Sequence, residues 1–148
     1  MTALDYAVTA VRALNERANK SGLTDRLIAV QHDLRKTLPF SSAEFDACYS
    51  HMTLCMELRE AELVRLLADI RRVLKPHGLN IYTVRSVGDP DYRCGVHVTE
   101  DIENVDGYAI QFFDRSKIAR LADGYKILEV REIEEGLKKL FWVALQRQ

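Results

Sequence analysis

Two carboxylates, Asp5 and Asp33, each close a short apolar run, in "TALDY" and "RLIAVQHDL". A serine and an imidazole, Ser50 and His51, close a third run, "FDACYSHM". In an open parallel sheet, ligands settle outside the carboxyl ends of the strands, where the connections diverge. An acid in that place can hold the hydroxyls of a ribose, because an ionised carboxylate accepts two hydroxyl donors. His51, and His97 in a later polar stretch, are the imidazoles placed to move a proton or touch a substrate. Each has a plain structural alternative. Asp5 and Asp33 can cap the turns next to them, a common use of Asp, and His51 can be a framework histidine bonded to backbone.

These residues can act together only if the chain alternates strand and helix, and its patterning does. After the "TALDY" strand, "VTAVRALNERANKS" places Val8, Val11, Leu14 and Ala18 on one helical stripe, with Gly22 as its stop. "RLIAVQHDL" is the second strand, and Pro39 keeps "RKTLPF" from continuing as regular structure. Beyond the "FDACYSHM" strand, "EAELVRLLADIRRVL" sets Leu63, Leu66, Leu67, Ile70 and Leu74 at helical spacing, and "KPHG" is expected to end that helix. "LNIYTVRSV" has the β-branched and aromatic content of a buried strand. From Gly88 to Gly107 the chain is polar, carries Pro90 and three glycines, and is expected to be a long excursion outside the core. "DRSKIARLAD" is a short helix capped by Asp114 or Ser116. "YKILEVREIEE" and "KKLFWVALQRQ" form a final antiparallel hairpin around Gly136. The expectation is a single α/β domain over 1–148 with a mainly parallel, Rossmann-like sheet, a C-terminal antiparallel hairpin, and 88–111 as a variable cap.

At 148 residues the chain has the length of one domain of roughly 100–200 residues. Its 21 Lys and Arg against 22 Asp and Glu leave a formal charge of −1, too little positive field for a phosphate backbone, so nucleic acid is not an expected partner. No apolar run reaches the roughly 18 residues of a membrane span, and no signal peptide opens the chain, so the expected location is cytoplasmic with no membrane partner. Cys48, Cys55 and Cys94 form no CxxC pair, so reduced thiols are expected, with no disulfide framework and no metal site.

The sequence resembles the class I S-adenosylmethionine-dependent methyltransferases, especially the small-molecule group called type 11. The resemblance runs from "ALDYA" and "HDLRKTLPF" through "FDACYSHM", "IRRVLKPHGLNIYTV" and "FFDRSKIARLADGYKILEV" to "LFWVALQR". Its most specific part is "FD", a helix, "RVLKPHG" and a strand. The resemblance implies S-adenosylmethionine as cofactor. It implies that Asp5 accepts from the two ribose hydroxyls, that Tyr6 packs along the adenine, and that Asp33 takes the adenine amino group. Leu34 would meet the ring through its backbone amide, Ser50 would line the pocket near the sulfonium, and His51 would point toward the acceptor. The excursion with Asp89, Tyr92, Arg93 and His97 resembles the cap that helps choose the acceptor, a small molecule. His51 first and His97 second are the candidate bases.

The family pattern departs at one place. Its first strand and the glycine loop of the form GxGxG belong upstream of "TALDY", and the chain contains no such motif. That loop normally lets backbone approach the methionine part of the cofactor. The first strand normally sits between the second and fourth, so its absence is expected to leave a gap that direct pairing of the flanking strands, a second copy of the chain or a missing upstream segment would fill, with a second copy favoured because exposed strand edges invite association. Two rival readings stand beside this one. The first is a methyltransferase-like remnant that serves as an interaction or assembly module. The second is a dinucleotide-binding domain, which "RVLKPHG" fits less well.

Overall fold

The computed structural model describes all residues, 1–148, which divide into two compact units, Met1–Leu38 and Pro39–Gln148.

The first unit is a βαβ turn: β1 (Thr2–Asp5), α1 (Val8–Lys20) and β2 (Ile28–Gln31). The strands run parallel, with Thr2 opposite Ile28 and Asp5 opposite Gln31. α1 stops where Ser21 N–H donates to the Arg17 carbonyl and Gly22 takes φ +65°, a left-handed conformation suited to glycine. Asn15 ties the helix to β2, since its amide donates to the Ala29 carbonyl at 3.0 Å and accepts from the Ala29 N–H at 2.9 Å. β2 ends at Gln31, earlier than its apolar run suggested, because "HDLRKT" leaves the ladder to form a turn around Asp33.

The second unit carries β3 (Phe45–His51), α2 (Glu60–Val73), β4 (Leu74–Arg85), β5 (Val96–Thr99), β6 (Ile102–Val105), β7 (Tyr108–Gln111), α3 (Arg115–Leu121), β8 (Tyr125–Glu135) and β9 (Lys138–Arg147). Its main sheet has the order β3-β4-β9-β8, with β3 and β4 parallel and the rest antiparallel. This mixed α/β sheet ends in the expected hairpin, whose turn places Gly136 at φ +62°. α2 packs on β4 and buries Leu63, Leu66, Leu67, Ile70 and Val73, each worth about 2 kcal/mol before the entropy of ordering. The Tyr125 hydroxyl donates to the Leu67 carbonyl at 2.8 Å, joining β8 to the same helix.

α2 ends at Val73, just before "KPHG" as expected, but Leu74, expected on the helical stripe, is already extended, and 75–78 lie in the irregular start of β4. Phe45 pairs with Leu74 and Ala47 with Leu79, and the surplus residues bulge with His77 at φ +63°. Pro76 removes a backbone donor and disfavours helix in its predecessor, so the chain turns straight into strand. The stretch from Gly88 to Gly107 is likewise no featureless excursion. It builds most of the antiparallel sheet β5-β6-β7, with turns whose Glu100, Asp106 and Gly107 take positive φ. Val105, Ile110 and Phe112 form its own core, with Tyr92 packed against them. At Gly95 an added Cβ would stand 2.6 Å from the Asn104 carbonyl oxygen, so this close strand crossing requires glycine.

β1 is hydrogen-bonded only to β2, and β3 only to β4. Each strand therefore keeps one edge without a neighbour. No helix is long and apolar enough to cross a membrane.

Candidate functional site

Asp5 and Asp33 lie at the same carboxyl edge of β1 and β2, as the His32 N–H donating to the Asp5 carbonyl at 2.9 Å shows. Both acids also brace the turn just beyond them. Asp5 Oδ1 accepts from Ala7 N–H at 2.8 Å, and Asp33 Oδ1 from Arg35 N–H at 3.0 Å. Beyond that the two differ. Asp5 Oδ2 carries no protein bond, and the neighbouring Tyr6 is 72% exposed. Asp33 receives the Arg35 guanidinium on both oxygens, at 3.0 to 3.2 Å. The Arg35 side-chain and backbone bonds hold its carboxyl down to about 2. Leu34 is half-buried between them in sequence.

The second unit presents the carboxyl edge of β3 and β4. Ser50 stands opposite Tyr82 in the register, and the hydroxyls of both are buried without a partner. His51 stands opposite Thr83, with its Nδ1 2.8 Å from Thr83 Oγ1 and its Nε2 3.3 Å from Glu135 Oε2. The ring is thus bonded to side chains rather than to backbone. Met52 N–H donates to Thr83 Oγ1 at 3.0 Å, which leaves the threonine proton free to point at Nδ1. In the neutral ring Nδ1 then accepts from Thr83, and Nε2–H donates to the Glu135 carboxylate.

Arg85, at the end of β4, fastens the chain that leaves it. Its guanidinium grips Asp89, whose side chain is 0% exposed, and reaches Asp91 at 2.6 Å. Burial pushes the Asp89 carboxyl up, but the hydrogen bonds from Arg85, Asp91 N–H and Lys139 N–H bring it below the ordinary carboxylate value. Asp89, read from sequence as a polar group offered by the cap, is therefore engaged in holding the cap's root. A second brace is Gln111, whose Nε2 faces the carbonyls of Leu54, Met56 and Leu58 and whose Oε1 accepts from Lys117 Nζ at 2.7 Å. It pins the loop after β3 to β7. Phe112 and Phe113 pack at this root. His97 stands on β5 and lines a cavity of 280 Å³ together with Tyr92, Arg93 and Phe112.

Sequence reasoning did not point to Thr83 or Glu135. Neither lies in a motif, and only the sheet register and the hairpin bring them to His51.

A family model described as a methyltransferase domain matches residues 1–78. The chain belongs to this methyltransferase family. The matched stretch carries Asp5, Asp33, Ser50 and His51, and ends before the cap and the final hairpin. This methyltransferase domain is similar to a solved SAM-dependent methyltransferase from Methanosarcina mazei, at 18% identity and a TM-score of 0.82, covering 99% of this chain and 81% of that one. It is similar also to an S-adenosylmethionine-dependent methyltransferase from Clostridium acetobutylicum, at 10% identity and a TM-score of 0.77, covering 99% and 74%. A third neighbour is the [4+2]-cyclase SpnF, at 19% identity and a TM-score of 0.75, covering 99% and 66%. Their likeness shows the Rossmann-like methyltransferase fold of this domain. No curated protein matches the chain.

Proposed function

We propose that this methyltransferase domain transfers a methyl group to a small-molecule acceptor in the cytoplasm. The observation that carries the reading is the family match over 1–78, which spans every residue whose type suits the cofactor. The cofactor is S-adenosylmethionine, which when bound supplies an electrophilic methyl group on a positive sulfur.

The residues present fit its nucleoside end. Asp5 keeps an unengaged carboxylate oxygen at the sheet edge for ribose hydroxyls, and Tyr6 offers an exposed ring to a flat base. Leu34 N–H is the backbone donor proposed for the ring. Asp33 can serve the adenine amino group only after yielding one of its oxygens from Arg35. Ser50, with a buried hydroxyl lacking a protein partner, lines the transfer site at the end of β3.

Methyl transfer is an in-line displacement, so the protein contributes chiefly by aligning the acceptor and excluding water. Where the acceptor loses a proton, Thr83 Oγ1 relays it to His51: the hydroxyl passes its own proton to Nδ1 as it takes the acceptor's. Thr83 Oγ1 then accepts from the new N–H, and the Glu135 carboxylate balances the imidazolium charge. His97 is the second candidate base, standing on the cap. We also propose that a second copy of the chain pairs with the open edge of β3. Light scattering that finds a monomer at working concentration would remove that part of the reading.

The test is a calorimetric titration with S-adenosylhomocysteine. Saturable micromolar binding supports the methyltransferase. Failure of the folded protein to bind favours the second reading, a methyltransferase-like assembly module, which draws on the occupied Asp33.

A further inference from the structure

The 280 Å³ cavity beside β5 is bordered by many charges, and nearly all of them are already engaged inside the protein. Glu100 accepts from the Glu60 N–H at the start of α2, at 2.9 Å, and Glu103 from Gly95 N–H at 3.2 Å. Asp101 pairs with Lys117 Nζ at 3.1 Å, and Asp114 caps α3. Lys117 divides its ammonium between Asp101, Gln111 and the face of Phe113. Arg120 lies 3.6 Å from Glu60 and donates to Ser116.

Two nitrogen donors are left over, beside the Tyr92 hydroxyl, which has no hydrogen-bond partner either. Arg93 makes no ion pair or hydrogen bond through its guanidinium, which lies 5.1 Å over the Tyr92 ring. His97 has no side-chain partner either. Tyr92 is itself held edge-on to Phe112, with centroids 5.4 Å apart, so a fixed aromatic wall stands beside the free guanidinium. A planar fork of N–H donors matches the two oxygens of a carboxylate, and an aromatic wall matches a flat apolar body. The 280 Å³ volume falls just below the range of drug-sized ligand sites, about 300 to 1,000 Å³, and so suits a small ligand.

We infer that this cavity binds a small organic carboxylate, with Arg93 forking its oxygens, His97 donating beside it, and Tyr92 and Phe112 flanking its apolar body. The inference rests on the methyltransferase reading only in making that carboxylate the methyl acceptor; the site itself needs no cofactor.

Titration of the whole protein with benzoate and with benzamide, its uncharged counterpart of the same shape, tests this. Benzoate should bind at least about tenfold more tightly, the worth of one charge-assisted contact. Arg93→Gln should bring the ratio close to one, and Arg93→Lys, which keeps the charge without the fork, should fall between. His97→Gln should lower the ratio severalfold. Equal binding of the two probes, binding of neither, or an unchanged ratio in Arg93→Gln overturns the inference. Inorganic phosphate displacing benzoate at equal concentration would overturn the carboxylate assignment in favour of a general anion site. All arms run without cofactor. A failure to bind S-adenosylhomocysteine therefore strikes the methyltransferase reading alone, and a failed benzoate preference strikes this inference alone.

Discussion

The carboxyl edges of the two units are built on different terms. Beside β1 and β2, Asp5 and Asp33 bond to residues two places along the chain, in the open. Beside β3 and β4, His51, Thr83, Arg85 and Gln111 are in part deeply buried; the bonds of His51 to Thr83 and of Gln111 to Leu58 cross long sequence separations, and the local Arg85–Asp89 pair is buried. The first arrangement costs little to rearrange, because water can replace each partner. The second resists change, because an orphaned buried group loses its desolvation energy with nothing in return. A ligand can therefore recruit the first edge, while the second must be preformed and acts as the frame.

The largest effect expected of this contrast is at Arg85. Arg85→Met leaves the Asp89 carboxylate buried without its cation and should cost about 3–5 kcal/mol in urea unfolding. A loss under about 1 kcal/mol would mean that the frame is no more committed than the open edge. Gly95→Ala should come next, since its Cβ would press on the Asn104 backbone, with a loss of about 1–3 kcal/mol typical of overpacking. Asp5→Ala should leave unfolding nearly unchanged and weaken S-adenosylhomocysteine binding by about 1–3 kcal/mol; parental affinity in calorimetry would place the ribose elsewhere.

A smaller effect, of opposite sign, is expected at Tyr82. Its hydroxyl is buried without a partner, so Tyr82→Phe should stabilise the second unit by about 1 kcal/mol. A destabilised variant would reveal a partner for that hydroxyl. The smallest effect concerns pH. Arg35 lowers the Asp33 carboxyl to about 2 in the fold, below its ordinary value of 3.8. The stabilisation this gives is complete above the unfolded value and fades as pH falls through about 2. Because the pair faces solvent, the gain is slight and screened by salt. A carboxyl-carbon NMR titration should find Asp33 mostly ionised at about pH 3, and Arg35→Ala should bring its midpoint back toward the ordinary range.

The cysteines divide along the same line of burial. Burial alone pushes the Cys48 thiol up to about 11, and burial raises Cys55 as well, whereas Cys94 is exposed. A thiol reagent near neutral pH should modify Cys94 alone.

Much of this protein is decided locally, and there the sequence suffices. The α1 stripe of Val11, Leu14 and Ala18, the α2 row from Leu63 to Ile70, the Asp114 cap and the Gly136 turn depend on neighbours within a few residues, although Val8, expected on the same stripe, stands 58% exposed. Asp5 and Asp33 could be placed at strand ends for the same reason. Three short strands hidden in the polar stretch after Gly88 could not be read, because four-residue strands with polar faces show no clear period, and their turns use left-handed Glu100 and Asp106 rather than glycine alone. The bulged start of β4 was equally illegible, since the partner that pulls Leu74 into the ladder is Phe45. Only the tertiary structure decided that Thr83 and Glu135 hold the two nitrogens of His51, that Asp89 belongs to Arg85, and that Arg93 and His97 are the nitrogen donors left over in the cap. The partners of His51 lie far apart in sequence and meet only once the strands are in register, whereas Arg85 and Asp89, four residues apart, meet because the chain turns directly after β4.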